Sequence, residues 1–173
     1  MNTPRLLIVF ASRYGQTEKI AKRIATLAGV KTDVVAVANA ESISLQEYDF
    51  LIVASPVYFG KHDRKIEQFV WQNAALIMSM QSAFVSVSGS KDEAFVHEFT
   101  RRTGWVPEVH VSFAGGEPYT KYGLFTRWLM RSIARKHGRR VDVHRDYEFT
   151  DWSAVERFAR DFIGYATAKQ KSA

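Results

Sequence analysis

Apolar and polar positions follow two alternating periods along this chain. Short apolar runs at 6–10, 34–38, 50–54, 83–87 and 109–113 have strand length and β-branched content, and most read as strands buried on both faces. Between them the spacing turns helical. Ile20, Ile24 and Leu27 mark a first helix, and Ile66, Phe69 and Val70 a second that runs towards Ala74. Phe95, Val96 and Phe99 mark a shorter third. The last helix is the clearest: Trp152, Val155, Phe158, Ala159, Phe162 and Ile163, with Thr150 placed as N-cap and Asp151 in the first turn. Residues 41–48 read as a short helix or loop before the third strand. Five strands alternating with helices predict an α/β fold, a doubly wound parallel sheet with right-handed crossovers, and a single domain over 1–173.

Ligands of such sheets sit beyond the carboxyl ends of the strands, where the strand order reverses, so the loops after strands one, three and four carry the information. The first is Ser12-Arg13-Tyr14-Gly15-Gln16-Thr17. Two hydroxyl residues around a glycine at a helix start suit a phosphate, with backbone N–H groups and the positive helix end turned inward. No Gly-Lys-Ser/Thr closes the loop and it has no G-x-G-x-x-G, so it is neither a nucleotide-hydrolysing loop nor a dinucleotide turn. Taken alone it is equally a polar strand-to-helix turn. The third strand ends in Ser55-Pro56-Val57-Tyr58-Phe59-Gly60, where proline stiffens the exit, two aromatic rings follow and Gly60 permits close backbone approach to a flat ligand. Those rings would equally pack on the next helix of a plain surface turn. The fourth ends in Ser88-Gly89-Ser90, small and polar. Three such loops on one sheet edge favour a ligand site. A phosphoacceptor receiver domain needs acidic residues at these ends, and Phe10-Ala11-Ser12 and Val53-Ala54-Ser55 supply none.

Composition narrows the chemistry. The chain has no cysteine, which excludes disulfides, cysteine-bound iron–sulfur clusters and thiol catalysis. Its five histidines show no metal spacing and are expected on the surface or in loops. The apolar run at Leu6 is too short for a signal peptide, and no stretch approaches the ~20 apolar residues that span a bilayer, so a cytoplasmic protein is expected. The formal charge of +6 is unevenly placed. Lys121, Arg127, Arg131, Arg135, Lys136, Arg139 and Arg140 lie between Tyr119 and Val141 with no acidic residue among them, and the rest of the chain sums to about −1. Residues 117–149 exceed a minimal five-stranded domain. Within them Tyr122, Phe125, Leu129 and Ile133 are expected on one helical face, with Trp128 beside it, and Arg127, Arg131 and Arg135 on the other. That pattern reads as an interfacial element for an anionic membrane, as a basic side for carboxylates, or as an apolar face docked on the sheet with a solvated basic face. No recognised module points to nucleic acid.

The three loops resemble those of the flavodoxin family. The resemblance implies a sheet of order 2-1-3-4-5 and FMN as cofactor. Ser12, Arg13, Tyr14, Gly15, Gln16 and Thr17 would then hold the phosphate. Pro56, Val57, Tyr58, Phe59 and Gly60 would lie along the flavin ring, with Ser88, Gly89 and Ser90 at its pyrimidine side. Across nearly the whole chain, Gly15-Gln16-Thr17, Ser82-Ala83-Phe84-x-Ser86-Val87, Trp105-x-Pro107, Tyr119-x-x-Tyr122 and Thr150-Asp151-Trp152 resemble the menaquinone-dependent protoporphyrinogen oxidases of haem biosynthesis. That likeness implies a flavodoxin-like domain with a basic helical segment inserted before the last helix. It also implies an FMN oxidoreductase that dehydrogenates protoporphyrinogen IX and passes electrons to menaquinone or ubiquinone at the inner face of the cell membrane. Tyr122, Phe125, Arg127, Trp128, Arg131 and Arg135 are the candidates for substrate or membrane contact. The connection after the fourth strand, Ser90-Lys91-Asp92-Glu93, is shorter than in that family and puts the substrate in question. A flavodoxin electron carrier and an NAD(P)H–quinone flavin reductase are the alternatives. No side chain is assigned as general base, and no metal site is expected.

Overall fold

The structure is a computed structural model that describes residues 3–89 and 92–172, with side chains through residue 170. Five strands form its central parallel sheet: β1 (Arg5–Phe10), β2 (Lys31–Ala36), β3 (Phe50–Tyr58), β4 (Gln81–Ser88) and β5 (Val109–Ala114). They lie in the order β2-β1-β3-β4-β5, all parallel, so the strand order reverses between β1 and β3. The five apolar runs are these five strands, with β2 starting earlier in the chain than its run. Its side chains are only half-buried because it is a sheet edge.

The described residues form six α-helices: α1 (Gln16–Leu27), α2 (Arg64–Gln72), α3 (Ala74–Ser79), α4 (Ala94–Thr103), α5 (Leu124–Lys136) and α6 (Trp152–Ser172). Strand alternation sorts the core into two layers. Leu6, Ile8, Ile52 and Val85 meet Ile20 and Ile24 of α1 and Val155 and Phe162 of α6. Leu7, Val9, Leu51 and Val53 meet Ile66 and Val70 of α2, Ile77 of α3 and Phe99 of α4 on the opposite face. Residues 41–48 hold the end of a 3₁₀ turn at Val37–Ser42 and a second one at Leu45–Glu47.

Three local expectations are corrected. Asp151, not Thr150, caps α6: its carboxylate accepts the Ala154 N–H at 3.0 Å, while the Thr150 hydroxyl is committed to the Ala114 carbonyl at 2.8 Å. The exit of β3 is no open loop. The strand runs through Pro56 to Tyr58, turns on Phe59 (φ 50°) and Gly60 (φ 76°), and returns as Lys61–His62 antiparallel to it. Two left-handed residues between a paired Tyr58 and Lys61 make a type I′ hairpin turn. Finally, His62 is not a surface histidine: it is 8% exposed and lies edge-on to Phe84 and Phe99, each ring 5.1 Å away.

The segment 117–149 forms α5 and a two-stranded antiparallel ribbon, Gly116–Glu117 with Tyr147–Glu148, at its base. Gly116 permits that pairing, since a Cβ there would stand 2.7 Å from the Tyr147 carbonyl oxygen.

Candidate functional site

The register that aligns Phe10 with Ala54, Ser55 with Ser86, and Ser88 with Ala114 brings the carboxyl ends of β1, β3, β4 and β5 level. A cleft opens there, enclosing about 790 Å³ with its solvent mouth included. Its walls contain Arg13, Tyr14, Gln16 and Thr17 from the first loop, Pro56, Val57, Tyr58 and Phe59 from the second, and Ser88 and Gly89 from the third. The three loops singled out from the sequence therefore share one concavity at the point where strand order reverses. Ser12, Gly15 and Gly60 do not line it. Ser12 shapes the first loop by accepting the Gly15 N–H on its hydroxyl at 3.0 Å. Gly15 supplies a left-handed turn (φ 96°) before α1, and Gly60 completes the hairpin. Ser90 lies outside the described residues.

The first loop is shaped to receive an anion. The helical ladder of α1 starts with the Lys19 N–H bonded to the Gly15 carbonyl at 3.0 Å, so the N–H groups of Gln16, Thr17 and Glu18 precede it. With the positive end of the helix dipole they favour a phosphate, and Thr17 is buried there with its hydroxyl. Residue Gln16 is fixed from the far end of the chain: its amide donates to the Thr150 hydroxyl at 2.8 Å. The start of α1 is further tied to the ribbon by Lys19 with Glu148, whose carboxylate also accepts from the Trp152 indole at 2.7 Å.

The rest of the cleft suits a flat ring. Tyr14 packs edge-on to Tyr58 and Tyr122, with centroids 5.8 and 5.1 Å apart, and Tyr119 continues the row at 5.4 Å from Tyr122. The Arg13 guanidinium lies 5.6 Å from the Tyr14 ring and 5.9 Å from the Tyr58 ring, and the Arg13 N–H donates to the Tyr58 hydroxyl. Phe59, 68% exposed, stands at the rim. Burial raises the pKa of the Tyr58 and Tyr122 hydroxyls and pushes that of Tyr119 up to about 12. The raised values favour neutral phenols, and of the three the Tyr58 hydroxyl is the one held in a hydrogen bond among the described residues, from the Arg13 N–H at 3.3 Å. Among the described residues no cluster could hold a metal ion.

Sequence reasoning missed the wall formed by Glu117, Pro118, Thr126 and Met130 of the insertion with Gly115 and Gly116 before it and Val87 of β4. Glu117 is the unexpected member, a buried carboxylate held by Arg139 through two bonds of 3.0 and 3.1 Å. Its partner lies 22 residues further along the chain, so local spacing gives no signal of it.

The expected faces of the inserted helix are also corrected. Tyr122 precedes α5, is buried and lines the cleft. The docked residues of the helix are Thr126, Met130 and Ala134, whereas Leu124, Phe125, Trp128 and Ile133 are exposed, Phe125 at 72% and Trp128 at 64%. Arg127 faces no external anion. Its guanidinium bonds the carbonyls of Tyr119 at 3.0 Å and Tyr122 at 3.2 Å, which fixes the turn that carries the tyrosines. Arg131 and Arg135 are exposed.

Comparison with known proteins gives a consistent result. The family described as "Flavodoxin domain" matches residues 7–144. Protoporphyrinogen IX dehydrogenase [quinone] of Escherichia coli (strain K12) is 29% identical over 177 residues, 95% of this chain and 97% of that protein. Among solved structures, the flavodoxin of Streptococcus pneumoniae TIGR4 superposes with a TM-score of 0.59 at 21% identity, over 93% of this chain and 99% of that one. A flavoprotein of Lactobacillus acidophilus, determined in complex with FMN, gives 0.52 at 16% identity, over 64% and 93%. At these identities both structures bear on the fold alone.

Proposed function

Because the chain belongs to the flavodoxin domain family, we propose that it is an FMN-dependent protoporphyrinogen IX dehydrogenase that passes electrons to a menaquinone or ubiquinone. The observation that carries this reading is the cleft itself: an anion-ready helix start and an aromatic wall meet at the strand-order reversal, in a chain similar over 95% of its length to a protein of that name. The residues fit FMN. The N–H groups of Gln16 and Thr17 with the Thr17 hydroxyl would hold its phosphate, Tyr58 and Phe59 would flank its ring, and Ser88 and Gly89 would meet the ring's polar edge. Bound there, FMN would supply the hydride-accepting chemistry. The protein's share is positioning and exclusion of water. Tyr14, Tyr58 and Tyr122 present neutral rings and hydroxyls, and Glu117, Thr126 and Met130 close the side that a minimal domain would leave open.

This inserted wall favours an enzyme over a diffusing electron carrier, because it builds a second side to the cleft where a carrier needs an open ring edge. The exposed Leu124, Phe125, Trp128 and Ile133, bordered by Lys136, form an interfacial face for an anionic membrane at which a quinone is met. No helix of the described residues is long and apolar enough to cross a membrane. The test is anaerobic titration of FMN-loaded protein with protoporphyrinogen IX. Bleaching of the flavin with growth of protoporphyrin fluorescence is expected, and a flavin left oxidised would overturn the reading.

A further inference from the structure

The insertion carries a second concavity. α5 ends at a left-handed Gly138 (φ 71°), whose N–H reaches the Arg135 carbonyl at 2.9 Å, while the Arg139 N–H reaches back to the Ala134 carbonyl at 2.9 Å. This turn folds Arg139 and Arg140 onto the last turns of the helix. There they line a cavity with Arg131, Arg135, Gly138 and Val141, enclosing about 860 Å³ with its mouth included. No acidic side chain lines it.

Arg5, Arg23, Arg101 and Arg102 each pair with a carboxylate. In the cavity Arg139 is committed to Glu117, but among the described residues the side chains of Arg131, Arg135 and Arg140 make no hydrogen bond or ion pair. Arg131 and Arg135 stand one helical turn apart, where like charges repel. The cavity also adjoins the cleft. Met130 lines the cleft, and the next residue of α5, Arg131, lines the cavity. Glu117 belongs to the cleft and its partner Arg139 to the cavity, so one ion pair separates the two.

We propose that this cavity is a carboxylate subsite in which Arg131, Arg135 and Arg140 receive the propionate arms of a tetrapyrrole whose ring system lies at the mouth of the cleft, against the FMN that the cleft would hold. The inference rests on the tetrapyrrole reading above. Guanidinium groups match carboxylates through paired N–H donors, and three unpaired ones in a concavity await an anion of that shape. A lipid surface would take the same charges, but it is planar and would meet the exposed Phe125 and Trp128 instead.

The test compares FMN-loaded wild type with the variant Arg131→Gln/Arg135→Gln/Arg140→Gln, whose three sites are exposed and unpaired, so folding is retained. Binding of protoporphyrin IX and of its dimethyl ester is read by fluorescence, with and without phosphatidylserine vesicles. Wild type is expected to prefer the diacid, and the variant to bind the diacid about tenfold or more weakly and the ester unchanged. Equal loss for both porphyrins, no loss for either, or displacement of the diacid by vesicles would overturn the subsite. Flavin reduction by protoporphyrinogen reads the underlying reaction separately, and a wild type that binds neither porphyrin removes the substrate reading along with the subsite.

Discussion

His62 couples the stability of the cleft's second loop to pH. Its ring, 8% exposed, lies edge-on against the stacked Phe84 and Phe99, and neither ring nitrogen makes a hydrogen bond. Burial lowers its pKa to about 4 from an ordinary 6.5, with the Glu67 carboxylate opposing only in part. The folded protein therefore excludes a proton that the unfolded chain binds. The contribution is intact above about pH 6.5 and is lost as pH falls towards about 4. At 1.36 kcal/mol per pH unit the whole window is worth about 3 kcal/mol. Replacing His62→Phe keeps a ring in an apolar slot and removes the titration. Urea unfolding at about pH 7.5 and about pH 4.5 should show wild type losing about 2–3 kcal/mol more than the variant, with unchanged m-values. At the higher pH the variant should equal or exceed wild type, since two unpartnered ring nitrogens are gone. Parallel losses in the two proteins would refute the argument. Because Lys61–His62 pairs with Val57–Tyr58, acid should also loosen the Tyr58–Phe59–Gly60 turn and weaken FMN binding before global unfolding.

Other substitutions test separate parts of the site. Gly15→Ala places a Cβ at φ 96° and should cost about 1–2 kcal/mol while raising the FMN dissociation constant, measured by flavin fluorescence quenching. Asp151→Ala should remove about 1 kcal/mol of stability as the lost cap of α6, whereas Thr150→Val, by freeing Gln16, should weaken FMN binding more than it lowers the melting temperature. Phe125→Ser with Trp128→Ser should change stability by no more than about 0.5 kcal/mol, because both side chains are mostly exposed, yet should reduce flotation with anionic liposomes.

The sheet was legible because five apolar runs of strand length admit little else, and the first loop because a glycine between hydroxyl residues opens a helix. What lay hidden came from contacts distant in sequence. Thr150 sits where an N-cap belongs, but Ala114 and Gln16 claim its hydroxyl across the fold, so the cap passes to Asp151. His62 gives no sign of burial in its local sequence, Lys61-His62-Asp63; the type I′ turn at Phe59–Gly60 folds it inward. On α5, hydrophobicity put Phe125 and Ile133 on one face and left open whether it meets a membrane or docks on the sheet. Packing instead selects Thr126, Met130 and Ala134, with Arg127 spent on backbone carbonyls. Periodicity finds a helix's faces without saying which one the domain covers.

The central claim is that this cleft oxidises a porphyrinogen with FMN. The most direct measurement is anaerobic turnover of protoporphyrinogen IX with a menaquinone analogue, following protoporphyrin fluorescence with apoprotein, FMN-loaded protein and free FMN. The account predicts repeated turnover above autoxidation with the FMN-loaded protein alone. A loaded protein that produces porphyrin no faster than free FMN would contradict it.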